Sequence, residues 1–565
     1  MRRSLILTFC CGSGLLAQSI FETPLPASDP FFPKPSYFRK HFATTETHVQ
    51  LEPPARLSDF VIDSKLELSL KNYLDLVMAN NPDVGVQKLT VQIPRDAVQR
   101  AFSIFDPVGT ARFSTTRTQT PSGSLLNGVQ ASGQPNAIQI AILNQLTQPL
   151  LLQYQQTLQT GTQYIVSFSG TKTSTNSAFS TFNPQLNANI NFSIVQPLLK
   201  NRGMFVTRLP ISIARSQLRA SEYSLQDQVI QLVTTAENAY WDVIFARESL
   251  RVQEESLKLA DAALKRAQKE LELGATSPLE IFQPQANFAN AQLSVSQAQY
   301  RLAQSEDALR RQMGADSSAG FRNMPIVLTE SVAPPADTGK IDAEAAVQTA
   351  LRTRPDLKSQ VQNLDVDDLN IKSADNNLRP DLSFTAQYGS AGLGGIFYPR
   401  TNLANPGAAV IPIVGGIGDA LGGVFGFGFP VYGFGLTLRL PIKDHKAAAD
   451  LADAVVQKRI DTLKQRSLEE NIRLQVLAAV NQLDSSKESI RIATIARDLA
   501  QKRVEADQKR YELGTTTLFF VLASQGDYVQ SESALLNQLI NYRRNELTLL
   551  QRTGQLLDER GIVVP

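Results

Sequence analysis

Cysteine, histidine, tryptophan and net charge are all scarce in this chain of 565 residues. Its two cysteines, Cys10 and Cys11, stand side by side in an apolar stretch near the start, so the remainder has neither disulfides nor thiol chemistry. The three histidines, His41, His48 and His445, are scattered, no HExxH occurs, and the carboxylates stand at helix-surface spacings beside Lys and Arg. No catalytic residues, metal ligands or cofactors are expected, and the chain does not read as an enzyme. With 55 basic against 53 acidic residues it lacks the positive excess of a nucleic-acid binder. Beyond the start, no run of eighteen consecutive apolar residues occurs, which argues against a transmembrane helix and leaves membrane strands open.

The start reads as an export signal. Met1, Arg2 and Arg3 precede an apolar run from Leu5 to Leu16 and a small-residue site, Ala17-Gln18-Ser19, so residues 1–19 are expected to be a signal peptide. Phe9 occupies the position where a lipidated start carries a small residue, which argues against a lipoprotein. Residues 20–65, with FETPLPASDPFFPKPSYF, show no sustained periodicity and read as an extended N-terminal arm or as plain disorder.

The rest is written twice. LSLKNYLDLVMANNPDV (Leu68 to Val84) and AEAAVQTALRTRPDL (Ala343 to Leu357) share a pattern of amphipathic helix, proline, second helix. Pro82 matches Pro355 and Pro107 matches Pro380 at one shared offset, which marks an internal duplication. The expected organisation is a first repeat over 66–330, a Pro-containing linker over 331–340, a second repeat over 341–554 and a tail over 555–565.

After the second proline of each pair come segments of strict alternation. Tyr432, Phe434, Leu436, Leu438 and Leu440 alternate with Gly433, Gly435, Thr437 and Arg439; Ala188, Ile190, Phe192 and Ile194 alternate with Asn187, Asn189, Asn191 and Ser193. Leu382 to Tyr388 repeats the pattern, and Gly109 to Thr118 does so more weakly. These are strands with one apolar and one polar face. Soluble sandwiches also alternate, but their strands recur at short, regular intervals, whereas these four stand far apart between helices; outer-membrane strands with a wet lumen fit better. Gln119 to about Asn183 reads as a Ser/Thr/Gln/Asn-rich loop, and Ala391 to Pro430 as a Gly/Pro-rich one. Thr162 to Thr173 within the first loop has strand character without a place in the count.

Each repeat then turns helical for an unusual length: neither Pro nor Gly occurs from Ile211 to Leu273 or from Ala447 to Leu513. Both runs end in nearly the same words, QKELELGATSPLE from Gln268 and QKRYELGTTTLFF from Gln508. Gly274 and Gly514 supply a left-handed helix end, and Ser277-Pro278-Leu279-Glu280 has the form of a capping box that restarts a helix at once. The returning helices run to Gly314 and Gly554, at equal distances beyond the turns. The outcome is a long helical hairpin, present twice. Gly and Thr are ordinary helix-end residues, yet the same Glu-Leu-Gly-x-Thr at both tips points to a shared role.

Duplicated halves, separated strand pairs, long helices and RYELGTTTLFFVL (Arg510 to Leu522) resemble the outer-membrane efflux protein family, the TolC-like channel-tunnels, over roughly Leu66 to Gly554. The resemblance implies a mainly α fold with a transmembrane β-barrel portion: antiparallel helical hairpins form a periplasmic tunnel, and four strands per chain join a trimeric twelve-stranded barrel. It implies an outer-membrane channel of a tripartite efflux or type I secretion system, with a large periplasmic portion. The implied partners are two further copies in a homotrimer, a periplasmic adaptor, an inner-membrane pump or ABC transporter, and outer-membrane lipid. Adaptor docking would fall to Gly274, Thr276, Tyr511, Gly514 and Thr516, and a periplasmic gate to Phe519 and Phe520. Members of the family place acidic residues six and nine positions after the second glycine; Phe520 and Ala523 stand there in this chain, so the resemblance implies an apolar constriction. The competing reading is a non-conducting envelope-spanning structural protein anchored by strands; the polar inner face of the strands favours the duct.

Overall fold

The computed structural model describes residues 61–62, 65–122, 130–131, 138–139, 141–177, 179–274, 277–314, 324–333, 341–399 and 410–564. The expected signal peptide, nearly all of the expected arm and residues 334–340 of the expected linker lie outside the described residues.

Strand β1 (Lys65–Leu68) leads into α1 (Leu70–Asn80), whose first turn is capped by Ser69 Oγ accepting from Asn72 N at 3.2 Å. Asn81 ends α1 and caps α2 (Pro82–Thr90), accepting from Asp83 N at 2.8 Å. Pro82 opens α2 at a position where its missing N–H costs nothing. After α3 (Gln92–Ala101) come β2 (Val108–Phe113), β3 (Thr116–Ser122), β4 (Ala141–Thr157), β5 (Gln163–Thr175) and β6 (Phe182–Pro197). The first hairpin is α4 (Leu209–Glu272) and α5 (Phe282–Gln312), followed by β7 (Ile326–Leu328), which lies parallel beside β1. In the second repeat, Asp342 caps α6 (Ala343–Thr353), Pro355 opens α7 (Pro355–Leu378), and β8 (Asp381–Phe397), α8 (Ile417–Phe425) and β9 (Pro430–Arg439) follow. The second hairpin is α9 (His445–Glu512) and α10 (Leu518–Thr553), and α11 (Leu556–Arg560) closes the chain. With 64 and 68 residues, α4 and α9 are about 96 and 102 Å long.

The duplication is visible in contacts as well as in order. Each returning helix ends at a left-handed glycine pressed on the corner between the first two helices of its own repeat. A Cβ on Gly314 (φ 59) would sit 2.4 Å from Asn80 O, and one on Gly554 (φ 72) 3.2 Å from Arg354 Cα. Asn81 Nδ2 donates to Gln312 O at 2.9 Å in the first repeat; Thr353 Oγ1 donates to Thr553 O at 2.5 Å in the second.

The larger core gathers α1, α4, α5, α10 and α11 around Tyr73 and Tyr240, whose hydroxyls donate to Ala236 O and Leu68 O, each at 3.1 Å. At its rim Glu237, 1% exposed, accepts from Arg560 at 2.6 and 3.0 Å, which fastens α11 to α4. A smaller core sets Val347, Ala350 and Leu357 against Ile472, Val476 and Val480 of α9.

The sequence predicts four strands in the main sheet; among the described residues the sheet holds seven, in the antiparallel order β9-β8-β6-β5-β4-β2, with β3 also paired to β4. The segment expected as one long loop, Gln119 to Asn183, contains the end of β3 and all of β4 and β5. Strand β4 conceals its nature because Leu150, Leu151 and Leu152 break the alternation and Pro149 stands in its middle. Pro149 is tolerated because it lies opposite the break between β2 and β3. Its carbonyl accepts from Ser114 N at 3.2 Å across that break, so its ring nitrogen also faces the gap, where no ladder bond is lost.

Candidate functional site: hairpin tips and a two-faced sheet

The two hairpin tips are built alike. Helix α9 ends in a Schellman arrangement in which Gly514 N donates to Tyr511 O at 3.0 Å and Thr515 N to Arg510 O at 2.9 Å, with Gly514 at φ 72. Gly274 stands at φ 68 and its N donates to Leu271 O at 3.0 Å. At both glycines the space a Cβ would take is open. The restart differs from expectation in the first hairpin: α5 begins at Phe282, and Ser277 Oγ accepts from Leu279 N at 3.4 Å instead of capping a helix there. Pro278 to Ile281 form turns first, so Ser277 and Glu280 make no capping box. Thr276 lies outside the described residues.

Tyr511 joins the tips to each other. Its hydroxyl donates to Glu270 Oε2 of α4 at 2.5 Å, and its ring lies under the Arg266 guanidinium at 4.6 Å. Arg266 in turn donates to Glu270 Oε1 at 3.1 Å, so the three side chains form one cluster across two hairpins. Burial, and then the Glu270 carboxylate, push the Tyr511 hydroxyl up to about 12. Phe519 and Phe520 pack edge to face, ring centroids 5.6 Å apart, and both remain more than half exposed. Thr516 is half-buried. Sequence reasoning missed Glu270 and Arg266, whose i,i+4 spacing looks like an ordinary surface pair. It also missed the exposed apolar residues flanking each glycine, Leu273 and Leu279 at one tip and Leu513 at the other. Together with the phenylalanines they give both tips an apolar rim.

At the opposite end the sheet has two distinct faces, and the register carries them from β2 through β4, β5, β6 and β8 to β9, whereas β3 sets Arg117 and Gln119 on the side of Leu152. One row runs Ala111, Leu152, Phe168, Ile190; the neighbouring rows hold Tyr154, Val166, Phe192, Tyr388 and Tyr432. The other face carries Thr110, Gln153, Ser167, Asn191 and, on β8 and β9, Thr385, Gln387 and Thr437. Helix α8 rests on the apolar face, where Gly392 and Gly394 let its backbone come close: a Cβ on Gly392 would sit 1.9 Å from Ala420 O. Among the described residues no helix is long and apolar enough to cross a membrane, and no group of His, Cys, Asp and Glu is placed to hold a metal ion.

The sequence profile described as outer membrane efflux protein matches residues 165–315 and 346–555. No curated protein sequence matches the chain. Solved structures share its fold at low identity. The CmeC outer membrane channel of Campylobacter jejuni is 15% identical, with 91% of each chain covered and a TM-score of 0.58. The outer membrane protein VceC of Vibrio cholerae is 14% identical over 86% of this chain and 96% of that one, at 0.56. The open state of the MtrE outer membrane channel of Neisseria gonorrhoeae is 14% identical over 86% and 89%, at 0.54.

Proposed function

The chain belongs to the outer membrane efflux protein family, and from that premise we propose that three copies form the exit duct of a tripartite efflux or type I secretion assembly. The observation that carries the reading is the sheet with one apolar and one polar face, followed in each repeat by a helix about 100 Å long that ends in a hairpin. Lipid takes the apolar face, and the polar face lines a water-filled passage that the helices continue into the periplasm. Substrate and energy come from an adaptor and an inner-membrane pump or ABC transporter, while this chain supplies wall, gate and pore.

In this reading the tips have two tasks. The apolar rims around Gly274 and Gly514, with Thr276, Tyr511 and Thr516, receive the adaptor. Phe519 and Phe520 narrow the entrance by apolar surface, which gates by excluding water instead of by binding cations.

Single-channel conductance in a planar bilayer tests the proposal, comparing the mature protein with a variant carrying Phe519→Ala and Phe520→Ala. Larger or longer openings are expected in the variant. If both proteins insert as trimers and stay silent, the duct is refuted and the envelope-spanning structural protein takes its place.

A further inference from the structure

Strands β4 and β5 lie between β2 and β6 in the sheet, hydrogen-bonded on both sides: β4 to β2 and β3, β5 to β6, and each to the other. An added hairpin could fold into a lumen as a plug or stand outside a wall as decoration. Neither fits the register. Leu152 and Phe168 share a face with Ala111 of β2 and Ile190 of β6, while Gln153 and Ser167 share the polar face with Thr110 and Asn191. A strand continuing both the ladder and the division of faces is part of the wall.

Strand direction and connections agree. The six positions β2, β4, β5, β6, β8 and β9 alternate in direction, β2 leaving the helical region and β9 returning to it. The β4–β5 connection, at the helix end of the sheet, is a tight turn closed by Leu158 N donating to Thr162 O at 2.7 Å. Of the three connections at the far end, β3–β4 and β8–β9 are longer, and β5–β6, residues 176–181, is short. Short turns on the periplasmic side and long loops outside are the layout of outer-membrane walls.

Two edges remain, β9 on one side and β2 with β3 on the other. Unpaired backbone groups cannot be left facing hydrocarbon, so both edges need a partner strand. Because the number of positions is even, β9 of one copy meets β2 and β3 of the next in antiparallel fashion, and the same junction repeats around a ring. We propose that each chain contributes six strands to the wall and that the trimer closes an eighteen-stranded barrel, the edges being docking surfaces for further copies of this chain. The inference rests on the trimeric channel reading. Barrel diameter grows roughly linearly with strand number, so the membrane section is about 1.5 times as wide as a twelve-stranded one, in the range of water-filled porins. Its lining near β4 to β6 is mostly amide and hydroxyl, interrupted by Leu151, Ile165 and Val195, so this section takes bulky hydrated cargo and leaves selection to the tips.

The test uses the full-length mature protein in lipid nanodiscs. Electron cryo-microscopy of the trimer should count eighteen wall strands. Disulfide trapping provides an independent readout, since the mature chain is expected to bring no cysteines of its own. Ser167→Cys with Asn191→Cys, facing neighbours on β5 and β6, should cross-link within one chain. Thr110→Cys with Ser193→Cys, on β2 and β6, should not, because two strands separate them; those residues come together only if the β4–β5 hairpin leaves the wall. A trimer with twelve wall strands, or efficient trapping of the second pair, overturns the inference and leaves the channel standing. A particle that is not a trimer overturns the eighteen-strand count together with the trimeric reading, while conductance remains the separate judge of the duct.

Discussion

Replacing Tyr511 by Phe removes one hydroxyl from the cluster that joins the two hairpin tips and leaves the ring under the Arg266 guanidinium. The lost bond is to a charged acceptor, for which the net contribution is about 1.5–3 kcal/mol. Water competes here, since the Glu270 side chain is 23% exposed, so the lower end of about 1.5 kcal/mol applies. That is roughly a tenfold change in the ratio of joined to separated tips. Spin labels at Glu272→Cys and Glu512→Cys, both exposed helix-end positions, report the separation by pulsed electron resonance. The variant should show a long-distance population raised about tenfold relative to the short one. Glu270→Ala, which takes away the acceptor, should have at least as large an effect, and adding Tyr511→Phe to it should change little more, because both changes remove the same bond. An unchanged distance distribution, or full additivity of the two substitutions, would refute the reasoning.

The same hydroxyl predicts a pH response. Pushed up to about 12, it supports the tip contact fully below about pH 10 and loses that support as pH rises through 12; the label distances should lengthen across that window, and Tyr511→Phe should abolish the transition. Gly514→Trp and Gly274→Trp place bulk where the structure leaves open space, at a cost of about 1–2 kcal/mol for the left-handed conformation, so the trimer should form and a pull-down with a reconstituted adaptor should weaken; equal affinity would remove the docking role. Arg560→Met leaves the buried Glu237 without its cation, with only the Trp241 indole N–H donating to it at 3.4 Å, and denaturant unfolding should show a loss of about 3–5 kcal/mol; a loss below about 1 kcal/mol would mean that the Arg560 pair does not hold the buried charge.

The helical part of this fold is legible in the sequence because its signals are local and repeated. Absence of Gly and Pro defines α4 and α9, glycine marks their ends, and Pro82 and Pro355 open helices at matching places. The wall is less legible. Where alternation is strict, as around Ile190 or Phe434, a strand can be read directly; β4 escapes because its leucine triplet and Pro149 make sense only beside the break between β2 and β3. Strand β5 has strand character by itself, but its place depends on β4. At the tips, the glycines announce themselves in the repeated words, whereas Glu270 gains its meaning from Tyr511, distant in the chain. Pairings between halves leave no periodic trace along either one.

The length of α4 and α9 has a mechanical consequence. Tyr240 and Ile472, on which the two cores pack, lie about 50–60 Å from the tip ends of α4 and α9, so a tilt of about 5° about the cores moves those ends by roughly 4–5 Å, while side chains near the pivot shift by less than a van der Waals contact. The packed cores around Tyr73 and Ile472 can therefore stay intact through a movement that carries the tips out of contact. Leverage of this kind puts control at the far end of the arm, where a few side chains act with the greatest mechanical advantage.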